Sequence, residues 1–499
     1  MSDCLPVQVS TKSFKQLLEA SDWPLALDTY QRGFVWGPEK LTQLANDLTE
    51  FGSQQDKKLP YYMGAVLLHH DASQSRRFII DGQQRVTALS LLYHRITGRL
   101  PAGQELSYSG QSARRVRQAM QVLTQQESLA LEVIEGLRLT VIEVDSADLA
   151  FTFFDTQNNR GVRLQATDLL KAYHLRAIDH AEGEWTQKVA LEQHCAERWE
   201  ALQRHPAVLS SGQDFAPNLF SRFLWRARRW RGAQTPVAKH DALLAEFQSG
   251  TWSHGDDNCS SIATVPLYAT RHNRLATALT LVGDGERVLQ GNRLRISQNA
   301  ASLPMALRQP IHRGVGLFLY ADKYAALLQM LMNDPDPCEQ VNAFREIYRQ
   351  LLRNNQEYLR EIFLLCSLVY VDQFEFEQLT EFALRLEFLL GAIRLEKKQV
   401  RQETAANFFR LADLNLLDVI AQSYHPKQVL DFLQQRQRAM APLHAREEVD
   451  VGDGVQGRYK RAVLHFYSAY AGAACDNLAD KPIWIEKLLQ EWQGGRQGD

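Results

Sequence analysis

A short polar turn that follows an apolar stretch carries the residues best suited to chemistry. Residues 78–80 predict a strand, residues 81–85 read Asp-Gly-Gln-Gln-Arg, and apolar residues recur at positions 86, 89, 92 and 96, which is helical spacing. The turn therefore leads into a helix N-terminus, where backbone amides lack intrahelical partners and the helix dipole is positive. Because Gly82 allows close backbone approach and Arg85 offers forked donors, this turn predicts a phosphate-binding site.

The carboxylate of Asp81 narrows this prediction. It would repel a phosphate group unless a divalent cation, a water molecule or a sugar hydroxyl lay between them. Asp81 is therefore a candidate Mg²⁺ ligand, and the turn is a candidate site for a metal-bound nucleotide. The alternative is ordinary turn chemistry, in which Asp-Gly only redirects the chain and Arg85 is a solvated residue of the first helical turn.

Composition bounds the class of protein. The 499 residues include 56 Lys and Arg against 58 Asp and Glu, a net charge of −2. This balance excludes a protein that is basic over its whole surface, so any contact with DNA must be made by a local basic patch. The six cysteines are scattered without a Cys-x-x-Cys pair, so neither a zinc site nor a disulfide framework is indicated. The sequence shows no secretory signal and no apolar run long enough to cross a bilayer, so we expect a cytoplasmic protein without membrane contact.

Hydrophobic periodicity separates a mixed α/β part from a helical part. The first part has predicted helices at 14–20, 39–51, after the turn at 81–85, and within 106–135, with predicted strands at 61–69, 77–80 and 137–144. Beyond about residue 150 strand signals nearly vanish, and helical periodicity occurs at 165–182, 189–204, 216–231, 341–353, 356–370, 375–396, 402–421 and 427–440. We expect an α/β domain over 1–185 and an all-α region divided into domains 186–340 and 341–499.

Two further clusters combine arginine with amides and aromatic residues. The first, Gln31-Arg32-Gly33-Phe34-Val35-Trp36, precedes a helix that is expected to begin near Pro38. Its aromatic residues Phe34 and Trp36 are expected to pack in the core rather than to stack on bases. The second cluster covers 154–161 and is followed by Asp168-Leu169-Leu170-Lys171. Helix capping explains part of it, but leaves Asn158 and Arg160 without a structural reason.

In this order the three clusters resemble the GmrS-like family, the N-terminal domains of GmrSD-type modification-dependent restriction systems and of phosphorothioate-sensing SspE-type defence proteins. The resemblance covers about the first third of the chain. It rests on Gln31, Arg32, Phe34 and Trp36, on Gly64 in the next strand, on the box at 81–85, and on Phe154, Asn158, Arg160, Gly161, Leu164, Asp168, Leu169 and Lys171.

The resemblance implies a ParB/sulfiredoxin-like α/β domain that binds and hydrolyses a nucleoside triphosphate, GTP or ATP, with Mg²⁺. This activity would be coupled to recognition of modified or phage DNA in an anti-phage or restriction system. The implied nucleotide-binding residues are Gln31, Arg32, Gly82, Gln83, Gln84, Arg85, Asn158, Arg160 and Lys171. No Gly-Lys dipeptide occurs in the chain, so the triphosphate chemistry would not be of the P-loop type.

Roles for the catalytic set, Asp81, Gln84, Arg85 and Arg32, follow from their chemistry. Arg85 and the amides after Gly82 would hold phosphates, and Asp81 would position Mg²⁺ or the attacking water. Gln83 or Gln84 would orient that water, since an amide can do so without changing protonation. Arg32 would neutralise charge that develops on the transferred phosphoryl group.

Members of this family often carry an HNH-type nuclease, in the same chain or in a partner. Such a site needs a histidine beside an acidic residue, with further His or Asn ligands for a metal. His205, His312 and His425 lack that setting, so we expect no nuclease of this type in the sequence. The sequence is compatible with a partner nuclease chain and with an oligomer. Two alternative functions are a non-catalytic binding subunit and a ParB-like domain with nuclease activity of its own.

A basic and aromatic run at 222–231 offers a second, weaker signal. Its arginines could grip DNA phosphates while its tryptophans stack on exposed bases, with Arg226, Arg228, Arg229 and Arg231 as candidate DNA contacts. However, Phe223, Arg226 and Trp230 share one helical stripe, and an amphipathic helix with a buried aromatic face is the simpler interpretation.

Overall fold

The computed structural model describes most of the chain. The described residues are 7–27, 33–54, 59–72, 74–106, 108, 110–126, 129–146, 149–150, 165–179, 184–205, 214–251, 262–268, 270, 273, 276–282, 285–290, 295–296, 300–333, 338–352, 357–401, 404, 407–408, 415–445, 454–471 and 475–494. The chain divides into two compact units. The first comprises 1–176 with 199–204, and the second comprises 177–198 with 205–499. The expected division of the helical region near residue 340 stays a prediction.

A mixed six-stranded sheet organises the first unit. Its elements are β1 (Val7–Ser13), α1 (Phe14–Glu19), β2 (Leu25–Ala26), α2 (Pro38–Ser53), β3 (Tyr62–Asp71), β4 (Arg76–Asp81), α3 (Gln83–Thr97), β5 (Gln104–Glu105), α4 (Gly110–Thr124), α5 (Leu131–Gly136), β6 (Arg138–Val144) and α6 (Ala166–Asp179). The strand order is β1-β6-β3-β4-β2-β5. Strand β3 is parallel to β6 and antiparallel to β4. The α/β character of the N-terminal region is confirmed.

Helix α2 and the aromatic residues before it are placed as the sequence pattern predicts. Helix α2 starts at Pro38, a position where a missing backbone donor costs nothing. It buries Leu41, Leu44 and Leu48 in the core of this unit and packs against α4. Phe34 is fully buried in the same core, where its ring meets that of Tyr108 edge to face. Trp36 is partly buried and packs against this core. The expected packing role of both aromatic residues is confirmed.

Arg77 is a fully buried cation on β4. Its guanidinium donates hydrogen bonds to the carbonyls of Trp23 (2.8 Å), Leu17 (3.0 Å) and Leu18 (3.3 Å). These acceptors end α1 and lead into β2, so one side chain holds this segment against the sheet. Burial lowers the pKa of Arg77, but an arginine keeps its charge well above neutral pH.

The second unit is mostly helical. Its helices are α7 (Trp185–Gln203), α8 (Phe215–Asn218), α9 (Trp225–Arg229), α10 (His240–Leu244), α11 (Val315–Met332), α12 (Glu339–Ile347), α13 (Glu357–Phe374), α14 (Leu379–Glu396), α15 (Leu416–Gln422), α16 (Pro426–His444), α17 (Val455–Ala471) and α18 (Lys481–Gly494). Helical turns of π type occupy Leu219–Leu224, Ala245–Ser249 and Tyr348–Leu352, and 3₁₀ turns occupy Ala300–Ser302 and Leu478–Asp480. Residues 185–198 of α7 belong to this unit and its last turn to the first.

The expectation of an all-α region is wrong in one place. Strands β7 (Thr264–Pro266), β8 (Ala278–Leu281), β9 (Arg287–Gln290) and β10 (Arg295–Ile296) form a four-stranded antiparallel sheet. Each strand has two to four residues. Alternation over so few positions is too short to separate a strand from a loop by pattern alone.

We expect Arg77→Met to destabilise the first unit by about 3 kcal/mol or more, because the methionine leaves buried carbonyl groups without donors. In differential scanning calorimetry this corresponds to a fall in Tm of roughly 6 °C or more. Arg76→Met on the same strand is the matched control. Arg76 is 44% exposed and pairs with Glu105 at 2.9 Å, so we expect a change below about 1 kcal/mol. Equal shifts for the two variants would contradict the anchoring role of Arg77.

Candidate active site

The Asp-Gly-Gln-Gln-Arg box lies at an elbow between β4 and α3. Strand β4 ends at Asp81, Gly82 is the N-cap with φ +92°, and α3 begins at Gln83. The first intrahelical bond runs from the amide of Val86 to the carbonyl of Gly82 at 3.0 Å. The amides of Gln84 and Arg85 therefore have no acceptor within the helix, as expected of a helix N-terminus. The elbow presents the positive end of a four-turn helix.

Close packing against β3 is what requires glycine at position 82. A Cβ atom there would lie 3.0 Å from Val66 Cγ2 and 3.1 Å from the carbonyl oxygen of Ala65. The positive φ of Gly82 also disfavours any other residue. The sequence predicted that this glycine gives a ligand access to the backbone. The structure supplies a second reason, the approach of the elbow to the neighbouring strand.

Both ladders of β3 are irregular beside the elbow. The pairing with β4 shifts between Leu67 and Leu68, opposite Asp81 and Ile79, and the pairing with β6 shifts between Tyr62 and Ala65. Such bulges re-aim side chains and are common next to active sites. Here the irregular stretch faces the residue at which β4 ends.

Arg85 reaches back over this irregular stretch. Its Nη2 donates to the carbonyl of Ala65 and to Asp81 Oδ2, the latter at 3.3 Å. A Cβ on Gly64, which has φ +97°, would lie 3.2 Å from Arg85 Nη1. The Nε atom is buried without a hydrogen-bond partner among the described residues. The side chains of Arg85 and Asp81 are 28% and 42% exposed, so solvent and ligands can reach both charges.

Gln84 binds the preceding loop rather than solvent. Its Oε1 accepts from the amide of Val35 at 2.8 Å, and its Nε2 donates to the carbonyl of Gly33 at 3.0 Å. The side chain is 6% exposed. This geometry disagrees with the prediction that Gln84 orients an attacking water, because both ends of the amide hold backbone. These two bonds place Gly33, the residue that follows Arg32, next to the first turn of α3.

The remaining predicted residues fall into two groups. Gln83 is 4% exposed and is embedded rather than presented to solvent. Lys171 on α6 is also buried, and its Nζ pairs with Glu200 at 3.1 Å. A buried lysine that is neutralised in this way serves packing, which argues against the predicted phosphate contact. Gln31, Arg32, Asn158 and Arg160 lie outside the described residues, so their convergence on the elbow stays a prediction.

The basic run at 222–231 is largely internal. Arg226 is 5% exposed and pairs with Glu361, which also binds Arg222. Arg228 binds Glu246 and donates to the carbonyls of Leu307 and Gln309, each at 2.7 Å. The prediction of DNA contacts is therefore wrong for these two arginines.

The other side chains of this run support its interpretation as an amphipathic helix. Phe223, Trp225 and Trp230 are buried, as a packed aromatic face requires. Arg229 is 53% exposed although its Nε binds Glu246, and Arg231 is exposed. For Arg229 and Arg231, contact with DNA stays a prediction.

Two family models match the chain. Residues 191–448, more than half of the chain, match the family of unknown function DUF7834. The chain belongs to this family. Residues 14–175 match the model described as the N-terminal domain of the GmrSD restriction endonuclease. The chain thus carries a GmrSD-type N-terminal domain, and the resemblance found in its motifs is confirmed. No curated protein matches the chain.

The GmrSD-type domain contains the whole elbow, from Gly64 on β3 to Arg85 on α3. It links the chain to restriction-type proteins that act on DNA. Among the helices that the structure describes, none combines the length and apolar character needed to cross a bilayer. Within the same residues, no group of three or more His, Cys, Asp or Glu side chains is placed to hold a metal ion.

We expect Gln84→Leu to free the backbone at Gly33 and Val35. Loss of the bond from the Val35 amide should speed its hydrogen exchange about tenfold, since one buried hydrogen bond contributes about 1 kcal/mol or more. Gln84→Glu is the matched control, because its carboxylate still accepts from Val35 although it no longer donates to Gly33. Hydrogen exchange of residues 33–36, measured by mass spectrometry, should be faster in Gln84→Leu than in Gln84→Glu. Equal protection in the leucine variant and the unaltered protein would contradict the tether.

Proposed function

We propose that the GmrSD-type domain binds and hydrolyses a nucleoside triphosphate, and that hydrolysis is coupled to DNA recognition in a restriction or anti-phage system. The observation that carries the proposal is the elbow itself. A helix N-terminus, a half-exposed aspartate and a partly exposed arginine meet at the end of one strand. The loop that follows Arg32 is tied to the same helical turn by Gln84.

The elbow offers two kinds of donor to a phosphate group. The amides of Gln84 and Arg85 point away from the helix at its positive end, which suits an anion. The guanidinium of Arg85 uses Nη2 for Ala65 and Asp81, and its Nη1 is the donor proposed to face the ligand. Because backbone contacts already hold this side chain, little ordering is needed when a phosphate binds.

A Mg²⁺ ion would fit this site as part of the nucleotide rather than as a resident of the protein. Mg²⁺ keeps several waters and takes one or two carboxylates together with substrate phosphates. Asp81 is one such carboxylate, and its proximity to Arg85 moderates the repulsion between Asp81 and phosphate oxygens. When bound, the ion would neutralise phosphate charge and help to align the reacting groups.

The roles of the individual side chains follow from their contacts. Asp81 is the half-exposed carboxylate that is proposed to position the attacking water, and Arg85 is proposed to bind the phosphoryl oxygens. Gln84 is proposed as a positioning residue, which holds the loop that carries Arg32. In this arrangement Arg32 would stabilise charge developing on the transferred phosphoryl group. Gln31, Asn158 and Arg160 complete the proposed nucleotide site.

Two alternatives share the same elbow. A non-catalytic subunit would bind nucleotide or DNA phosphates without turnover and leave the chemistry to a partner nuclease. A ParB-like domain with its own nuclease activity would cleave DNA without consuming triphosphate. Purified protein assayed with ATP, GTP, CTP and UTP, with and without phage DNA, separates the three. Cytoplasmic location, a partner nuclease and self-association are part of the proposal for a defence system.

We expect Asp81→Asn and Arg85→Lys each to reduce phosphate release by about 10²-fold to 10³-fold, the usual loss for one preorganised charge contact. The aspartate variant removes the charge that positions water, and the lysine variant keeps the charge but loses the fork. Matched controls are Asp22→Asn, at an exposed position, and Arg76→Lys, on the preceding strand.

Circular dichroism and calorimetry of the same variants separate lost chemistry from lost folding. Unchanged turnover in either elbow variant, with an intact fold, would refute the assignment. Nucleotide binding without hydrolysis, in the presence and absence of DNA, would favour the non-catalytic subunit instead.

A further inference from the structure

Residues 82–126 form a basic segment in a chain whose net charge is slightly negative. The segment holds six arginines and one acidic residue, Glu105, and Glu105 already pairs with Arg76 at 2.9 Å. It covers α3 and α4 and lies wholly within the match to the GmrSD-type domain. Because the overall charge restricts DNA contact to a local basic patch, this segment is a place where such a patch can form.

Helix α4 has a polar face that lacks negative charge. Its apolar face packs in the core through Ala119 and Leu123, with Val116 and Met120 partly buried. The opposite side of the helix, which we call the α4 face, is exposed and consists of Arg114, Arg117, Gln118, Gln121 and Thr124. An exposed helix face commonly carries charges of both signs that pair along the helix. The α4 face carries positive charge alone.

The arginines of the α4 face are not neutralised. Arg114 and Arg117 form no ion pair with any residue that the structure describes, including those of the adjacent helix α2. The Nε of Arg117 donates to the carbonyl of Ala113 at 3.3 Å, which leaves the rest of its guanidinium to other acceptors. In the run at 222–231, by contrast, Arg226 and Arg228 are bound by buried carboxylates. Positive charge on α4 is therefore available to a partner.

The packing of α4 on α3 places this charge beside the elbow. Tyr108, two residues before α4 begins, bonds through its hydroxyl to Thr87 in the first turns of α3. Arg95, near the end of α3, donates to the carbonyl of Gln126, just beyond the end of α4. The two helices therefore run side by side in the same direction. The first half of α4, which carries the arginines, lies next to the half of α3 that begins at the elbow.

The residue types of the α4 face suit the backbone of duplex DNA. Arg114 and Arg117 are three residues apart, so their side chains leave the same side of the helix about 4.5 Å apart along its axis. Arginine forks bind phosphate oxygens, and glutamine side chains commonly add hydrogen bonds to phosphate and sugar. Gln118 and Gln121 supply such amides next to the arginines.

The buried side of α4 argues against a membrane as the partner. A helix that lies on a membrane turns its apolar face into the lipid. The apolar face of α4 is occupied by the core of the domain. The face that is left for a partner is polar and positive, which favours a nucleic-acid backbone over a lipid surface.

We propose that the α4 face binds the phosphate backbone of duplex DNA and thereby holds the DNA beside the elbow. The choice of DNA as partner rests on the proposed function, to which this inference adds the surface. Contacts to phosphate supply affinity and orientation and do not select a sequence. Binding at the α4 face requires neither a nucleotide nor its hydrolysis.

Fluorescence anisotropy of a short labelled duplex with the full-length protein, over a range of salt concentrations and without nucleotide, tests the proposal. In the double variant Arg114→Gln, Arg117→Gln we expect the slope of log affinity against log salt to fall by about 1.8, since each phosphate contact contributes about 0.9. Affinity at low salt should fall by at least about tenfold, because charged hydrogen bonds are lost.

A double variant of equal charge change is the matched control. Lys15→Gln, Arg76→Gln removes two cations that are 52% and 44% exposed and that already have carboxylate partners. We expect the salt slope of this control to equal that of the unaltered protein. A further variant, Gln118→Glu, adds negative charge to the α4 face at an exposed position. It should keep the circular dichroism spectrum and weaken DNA binding several-fold through repulsion of phosphates.

Three results would overturn the proposal: no binding of the duplex at low salt, an unaltered salt slope in the arginine double variant, or an equal loss of affinity in the charge control. Phosphatidylserine vesicles form a separate arm. Loss of vesicle binding in the arginine double variant, with DNA binding retained, would overturn the proposal in favour of a membrane.

Hydrolysis of triphosphate without DNA, measured on the same proteins, separates this inference from the proposed function. The arginine double variant should hydrolyse at the rate of the unaltered protein, because the α4 face lies outside the elbow. Loss of DNA binding in that variant supports the α4 face even if the unaltered protein hydrolyses no triphosphate.

Discussion

The contact between Arg85 and the carbonyl of Ala65 is the constraint on which the elbow depends. It holds the first turn of α3 against β3, the strand next to β4 in the sheet. Gly64 and Gly82 flank this contact with positive φ values, and a side chain on either would approach Arg85 closely. The charge of Arg85 is thus held by backbone and in turn binds Asp81, which is how a site keeps its geometry before a ligand arrives.

Buried charge organises the helical unit in a different way. Asp372 accepts from Lys323 Nζ at 2.8 Å, from the Tyr324 hydroxyl at 3.1 Å and from the Leu307 amide at 2.9 Å. Glu361 serves Arg222 and Arg226 in a similar manner. Each carboxylate satisfies several donors, because an isolated buried charge would be strongly destabilising. Several charged side chains that look solvated in the sequence therefore lie inside the protein.

The sequence pattern predicted the features that depend on residues close together in the chain. The turn at 81–85, the helix that begins at Pro38 and the burial of Phe34 all follow from residue spacing, and the structure has each of them. The pairing of Arg226 with Glu361 joins residues 135 positions apart, so no nearby sequence feature indicates it. The short strands at 264–296 could not be predicted either, because each has too few residues to show an alternating pattern. The roles of Asn158 and Arg160 rest on the family resemblance alone.

Gln84 also bears on how related sequences can vary. Its amide binds the carbonyl of Gly33 and the amide of Val35, which are backbone groups that every residue except proline provides. The side chains at positions 33 and 35 can therefore change without loss of this hold on the loop, whereas Phe34 between them is fixed by its burial in the core. Position 84 should be restricted to glutamine by geometry, yet show no co-variation with positions 33 and 35. A method that infers contacts from correlated substitutions would miss the bond that ties this loop to the helix.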